Sequence, residues 1–133
     1  MHATLHGERK LTELDFARLR RLSLTEVPLE LDEILDEAER VDARSIPADT
    51  VTMCARVEIQ DVQTGERRIL TICYPRDAQP AAGRISVLSP LGAALLGLRV
   101  GATAHWSAPT GERRSAHVIA VPFQPEAFGD YLT

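Results

Sequence analysis

Residues 85–101, Ile85-Ser-Val-Leu-Ser-Pro-Leu-Gly-Ala-Ala-Leu-Leu-Gly-Leu-Arg-Val-Gly101, decide how the rest of the chain is read. The stretch opens as a short alternating strand, with Ile85 and Val87 facing one way and Ser86 and Leu88 the other. Ser89 and Pro90 then stand together where a helix would start. A serine hydroxyl accepts from the orphan N–H groups of a first turn, and proline at the first helical position gives up no hydrogen bond. Leu91 to Leu96 supply two apolar turns, and Gly97 sits where a left-handed C-cap belongs. Val100-Gly101 turns the chain into another strand. The unit is too tight for the crossover of a dinucleotide fold or a P-loop.

Outward from this stretch the chain reads as β. Val51, Met53, Ala55, Val57 and Ile59 alternate with Thr52, Cys54, Arg56, Glu58 and Gln60, which predicts one long strand. If the chain turns through Val62-Gln-Thr-Gly65, the return strand sets Leu70, Ile72 and Tyr74 opposite Val57, Ala55 and Met53. The same register sets Cys54 opposite Cys73, which predicts neighbouring reduced thiols on the solvent or partner face. The plain alternative is two unrelated small residues. Pro75 to Gly83 is a surface connection. Ala102 to Ala108 and Arg113 to Val121 flank Pro109-Thr-Gly111 as a second hairpin, with Trp106 packed on the short helix or the sheet.

The N-terminal third is different. Met1 to Leu11 has no period and reads as a frayed lead-in. Thr12-Glu-Leu-Asp15 is a capping box opening a helix to about Leu22, with Leu11, Leu14, Leu19 and Leu22 on a loose stripe. Ser23 to Val27 reads as a turn, and Pro28 starts a second helix over about Leu29–Ala43. Leu31, Ile34, Leu35, Ala38 and Val41 share one face of it, and Asp32, Glu33, Asp36, Glu37 and Arg40 the other. The pair predicts an antiparallel helical hairpin packed stripe to stripe over residues 1–46, with the body at 47–133.

Composition narrows the functional classes. The chain has 133 residues, 44% hydrophobic and 26% charged, which suits one soluble globular unit. No apolar run approaches a membrane span and no signal-peptide core is present, so a cytoplasmic protein is expected. The net charge of −4 is uneven: residues 12–49 carry eleven acids and five bases, residues 50–133 seven acids and eight bases. An acidic arm on a near-neutral body is a poor direct nucleic-acid binder, since phosphate contact needs a basic surface. The arm suits a partner with a basic approach, or is an ordinary solvated helix face.

Residues 85–101, together with Pro47-Ala-Asp-Thr-Val-Thr-Met53 and Gln124-Pro-Glu-Ala-Phe-Gly-Asp-Tyr131, resemble the C-terminal domain of the GreA/GreB transcript-cleavage factors. They are similar above all to a small branch of that family, the regulators of nucleoside diphosphate kinase. The resemblance implies an α+β fold in which an FKBP-like five-stranded antiparallel sheet with one small helix carries a short helical hairpin. It also implies binding to RNA polymerase near its secondary channel. In the Gre factors a long arm brings two carboxylates to the polymerase's catalytic metal, work that needs paired oxygen ligands. The acids at the corresponding tip here are Glu26, Glu30, Asp32 and Glu33. At 1.5 Å per residue, helices of this length reach only roughly 16–22 Å, and a Gre arm is several times longer in sequence. The resemblance further implies that Leu88, Ser89 and Pro90 occupy the turn that contacts the channel rim, with Leu88 replacing the acid common in Gre proteins. Ser89-Pro90 is equally explained as a helix cap and Leu88 as a core residue.

Other chemistry finds little support. His2, His6, His105 and His117 lack metal-ligand spacing, and no carboxylate is placed to orient His105 and His117 across the last hairpin. Aromatics, at 5% of the chain, are too few to wall a prolyl-isomerase pocket. No catalytic residue, metal or cofactor is expected. The expected function is a non-enzymatic, monomeric transcription regulator with no direct nucleic-acid or membrane contact. It competes with Gre-type factors without stimulating cleavage and influences nucleoside diphosphate kinase levels. The alternative is a protein-interaction regulator of nucleotide metabolism that never touches polymerase.

Overall fold

Arg56–Asp61 (β3) is the central strand of a five-stranded sheet, and its alternation of buried and more exposed residues follows from Val57 and Ile59 pointing into the core. The structure, a computed structural model, describes residues 9–22 and 28–129. Arg67–Cys73 (β4) pairs with β3 in the expected register, Val57 opposite Leu70 and Arg56 opposite Thr71. Thr103–Ser107 (β6) and Arg113–Phe123 (β7) form the second hairpin, and β7 closes on the other side of β3. Arg84–Ser86 (β5) lies beyond β4 at the sheet edge.

Two expectations for this sheet are corrected. The strand expected from Val51 begins only at Arg56, because Cys54 adopts a left-handed φ of 68° and turns the chain. Val51, Thr52 and Met53 are consequently all buried, and Met53 does not pair with Tyr74. Cys54 N–H instead donates to Ile72 O at 2.7 Å. Cys73 is turned inward, its thiol donating to Ile85 O at 3.4 Å, so the thiols do not share an outer face; Cys54 is half-buried and both are free. Burial pushes both thiols above their ordinary range. The second correction is that β5 runs parallel to β4, with Ile72 opposite Ile85, so the sheet is mixed. Residues 74–83 make this possible by folding back through two 3₁₀ turns, Pro75–Asp77 and Pro80–Ala82, before Gly83 at φ +78° releases the chain into β5.

The short helix Pro90–Leu95 (α3) forms as the sequence predicts, with the Ser89 hydroxyl accepting from Gly92 N–H at 3.1 Å and Gly97 in the left-handed region after it. Ala93, Ala94, Leu95 and Leu96 fill the core beneath it. Gly92 permits the close seating of α3 on β5, because a Cβ there would stand 2.1 Å from Ser86 O.

Among the described residues the N-terminal part opens with a strand, Lys10–Thr12 (β1), in place of the end of the expected frayed lead-in; Leu11 is fully buried. Helix Glu13–Leu22 (α1) follows, capped by the Thr12 hydroxyl, which accepts from Asp15 N–H at 3.0 Å. The expected Ser23–Val27 turn lies outside the described residues, as do His2, His6 and Tyr131. Helix Leu29–Glu37 (α2) ends six residues sooner than its apolar stripe predicts. Ala38 is extended, Glu39 N–H donates to Arg9 O at 2.9 Å, and Glu39–Val41 (β2) pairs parallel with β1. Strand pairing wins over the continuing stripe because it satisfies backbone groups that a frayed last turn would leave to water. The stripes do not serve the helix pair alone: α2 lies against α3, and Leu11, Leu19, Leu31 and Leu35 share one core with Val51, Met53, Leu95 and Leu96. At about 2 kcal/mol per fully buried leucine, this seam is a major contribution to stability. Among the described residues, no helix is long and apolar enough to cross a membrane.

Gly92→Ala is expected to cost about 3 kcal/mol in urea unfolding, since backbone must move to admit the methyl group. Gly65→Ala, where nothing lies within 4 Å and only the positive φ resists, should cost about 1 kcal/mol. Equal losses would contradict the close seating of α3.

Candidate partner-binding surface

The turn between β5 and α3 is held by its own side chains. Ser89 Oγ donates to Ser86 O at 2.7 Å while accepting from Gly92 N–H, and Ser86 Oγ accepts from Leu88 N–H at 3.0 Å. Val87 N–H donates to Cys73 O at 2.9 Å and anchors the turn to the sheet. The result is a rigid corner on which Pro90 is exposed and Leu88 half-buried, one part of its side chain on the core and the other outside. Ser89 is thus a helix cap, and Pro90 beside it is exposed at the surface.

Beside this corner Leu91 joins Trp106, Ile59 and Ala116 in a cleft rimmed by Arg68 and Arg114. Trp106 is partly buried against the core and lines this cleft together with Leu91 of α3. Arg114 forms an ion pair with Asp61, which holds the Asp61 carboxyl below the usual carboxylate range, helped by Thr64 and Gln63 N–H groups. His105 and His117 do not meet as a pair. Each bonds a hydroxyl on the neighbouring strand, His105 Nδ1 with Ser115 Oγ at 2.8 Å and His117 Nδ1 with Thr103 Oγ1 at 2.9 Å.

Of the acids expected at the tip, Glu26 lies outside the described residues. Glu30, Asp32 and Glu33 occupy the start of α2, with Glu30 and Glu33 exposed. Asp32 is engaged by Arg20 at 2.6 Å, and the same guanidinium also pairs with Asp36. Arg20 and Arg40 both lie over the Phe16 ring, at 5.3 and 4.5 Å from its centre. Among the described residues no three His, Cys, Asp or Glu side chains are grouped to hold a metal ion.

The three stretches that carried the family resemblance are far apart in sequence and meet in space. Val51 N–H donates to Leu98 O and Gly97 N–H to Val51 O, both at 2.8 Å, and Arg99 forks onto Asp49 at 2.9 and 3.2 Å. Gln124 Nε2 donates to Pro47 O and Thr50 O, both at 2.8 Å, and Thr52 Oγ1 to Glu126 Oε1 at 2.7 Å. The arm enters the same seam. Arg9 Nη1 donates to the carbonyls of Ala94 and Leu96 at 3.0 and 2.7 Å, closing the C-terminal end of α3. Asp15 Oδ2 accepts from Met53 N–H at 3.1 Å. Asp15 is the residue that the stripe reading passes over. It stands four residues from both Leu11 and Leu19, so an acid sits at a core position of α1, and that spacing was the available signal.

Residues 46–123 match the family described as transcription elongation factor GreA/GreB, C-terminal. The chain belongs to the GreA/GreB family. The Regulator of nucleoside diphosphate kinase of Escherichia coli (strain K12) is 43% identical over 98 residues, spanning 74% of this chain and 72% of that protein. Transcription elongation factor GreA of Acidiphilium cryptum (strain JF-5) is 36% identical over 122 residues, 91% of this chain and 77% of the relative. Among solved structures, a prokaryotic transcription elongation factor GreA/GreB from Nitrosomonas europaea superposes with a TM-score of 0.72 at 33% identity, covering 87% of this chain and 98% of that one. The GreA/GreB match contains the Leu88–Pro90 corner and the cleft beside it.

Gln124→Leu should cost about 2 kcal/mol in urea unfolding, because one buried and one part-buried carbonyl lose their donor. Ser89→Ala removes a cap and should cost about 1 kcal/mol. A neutral Gln124→Leu would mean that the amide does not hold the seam.

Proposed function

We propose that this GreA/GreB-family chain is a non-enzymatic regulator of transcription that docks on RNA polymerase at the rim of the secondary channel. On this reading Leu88, Ser89 and Pro90 make the rim contact, and the acidic α2 lies at the channel mouth. The carrying observation is the self-bonded corner with Pro90 exposed, inside the segment that matches the family. A corner fixed before binding loses little entropy on docking, and its apolar surface suits a partner contact without a charge pair. The body is read as FKBP-like and the helices as a short antiparallel arm in a cytoplasmic monomer.

The arm separates this chain from a cleavage factor. α1 and α2 are about ten residues each, roughly 15 Å of helix. Asp32 is already held by Arg20, which leaves that carboxylate poorly suited to share a metal ion with the polymerase. Such a molecule obstructs the channel mouth and competes with Gre-type factors without stimulating cleavage. An influence on nucleoside diphosphate kinase levels then follows indirectly. The second reading, a regulator of nucleotide metabolism without polymerase contact, is favoured by the name of the Escherichia coli relative. Capture from extract separates the two by whether polymerase subunits or the kinase are retained.

Binding to core RNA polymerase, displaceable by a Gre factor, is the expected result. Leu88→Asp and Pro90→Asn should each weaken it roughly tenfold, about 1.4 kcal/mol, and Glu30→Ala less than about twofold, since exposed charges contribute little. No association at micromolar concentration, or equal losses for all three variants, would overturn the assignment.

A further inference from the structure

Two consecutive residues of the buried segment before β3 each hold a carboxylate from an opposite end of the chain. Met53 N–H donates to Asp15 Oδ2 from the first turn of α1, and Thr52 Oγ1 donates to Glu126 Oε1 from the 3₁₀ turn Pro125–Phe128. Asp15 is 1% exposed and Glu126 9%. The groups facing Asp15 are Thr12 and Arg18 from its own end of the chain, Glu126, Cys54, and Tyr74 after β4, whose hydroxyl is also buried. Two carboxylates in one poorly hydrated seam disfavour each other's ionisation, and a proton on one relieves both the repulsion and the burial cost.

We propose that Asp15 and Glu126 form a pH-sensitive latch that fastens the base of the N-terminal arm to the body and tightens when Asp15 takes up a proton. Burial, with the Glu126 carboxylate adding to it, pushes the Asp15 carboxyl up to about 7 against the lowering effects of Met53 N–H, Thr12 and Arg18. When the arm base opens, Asp15 meets water and returns to its ordinary value near 3.8. Between these two values the closed form binds a proton that the open form releases. Raising the pH therefore weakens closure, by up to about tenfold per pH unit, until Asp15 ionises in both forms near neutrality and the dependence levels off. Below the lower value both forms are protonated and closure is strongest. The device is independent of what the surface corner binds, because it concerns the chain alone.

The test is NMR on the labelled full chain from pH 5 to 8.5, following the Asp15 carboxyl carbon and the exchange protection of β1 and α1 amides, corrected for intrinsic rates. Asp15 should titrate above pH 6, and protection in β1 and α1 should fall several-fold or more between pH 5 and 7. Asp15→Asn keeps an acceptor for Met53 N–H and should abolish that fall. Glu126→Gln should lower the Asp15 midpoint. Titration of Asp15 near pH 4 in the unaltered chain, or the same pH dependence of protection in Asp15→Asn, would overturn the latch. Should Asp15→Asn fail to fold, the carboxyl titration of the unaltered chain and of Glu126→Gln still decides.

Discussion

Thr50 to Met53 are buried and belong to no strand, so backbone groups of this segment and the Thr52 hydroxyl depend on partners brought from elsewhere. Those partners come from four separate parts of the molecule: Leu98 and Gly97 after α3, Ile72 of β4 through the adjoining Cys54, Gln124 and Glu126 after β7, and Asp15 of α1. Leaving one such group unsatisfied costs about 1–3 kcal/mol, so the segment orders its neighbours as much as they order it. The arm is thereby tied to the body at its base, through Leu11, Leu19, Leu31 and Leu35 in a shared core and through Arg9 on the carbonyl end of α3.

α3 carries the exposed corner at its N-terminus and the Arg9 contact at its C-terminus, with Gly92 holding its middle against β5. One six-residue helix therefore fixes the relation between the corner and the acidic α2 packed beside it. A partner that grips Pro90 would receive α2 at a set position rather than at the end of a loose tether, which suits the proposed obstruction.

Local chemistry was legible in the sequence, and distant pairing was not. The register of β3 with β4, the Ser89-Pro90 cap and Gly97 all follow from period-two alternation and cap geometry, which are written within a few residues. The parallel pairing of β5 with β4 was not written there, because antiparallel and parallel edges share the same alternation. Nor was the early end of α2: Ala38 and Val41 continue its stripe, and only the presence of β1, some thirty residues earlier, makes an extended chain more favourable. Cys54 takes a positive φ with no glycine to mark it. For the candidate surface, cap chemistry and resemblance together point to Leu88 to Pro90, and of these the fold leaves Pro90 exposed. Asp15 and Glu126 were missed because an acid on a helix is ordinarily read as solvated, and only its place at core spacing between Leu11 and Leu19 speaks against that.

A chain that obstructs without supplying metal ligands differs from a cleavage factor most plainly at the RNA 3′ end. Stalled elongation complexes should therefore be incubated with saturating chain, with and without a Gre factor, and the transcript lengths measured. The account predicts that the chain alone leaves the transcripts intact and slows Gre-stimulated shortening as it is added. Shortening of the transcripts by the chain alone would contradict it.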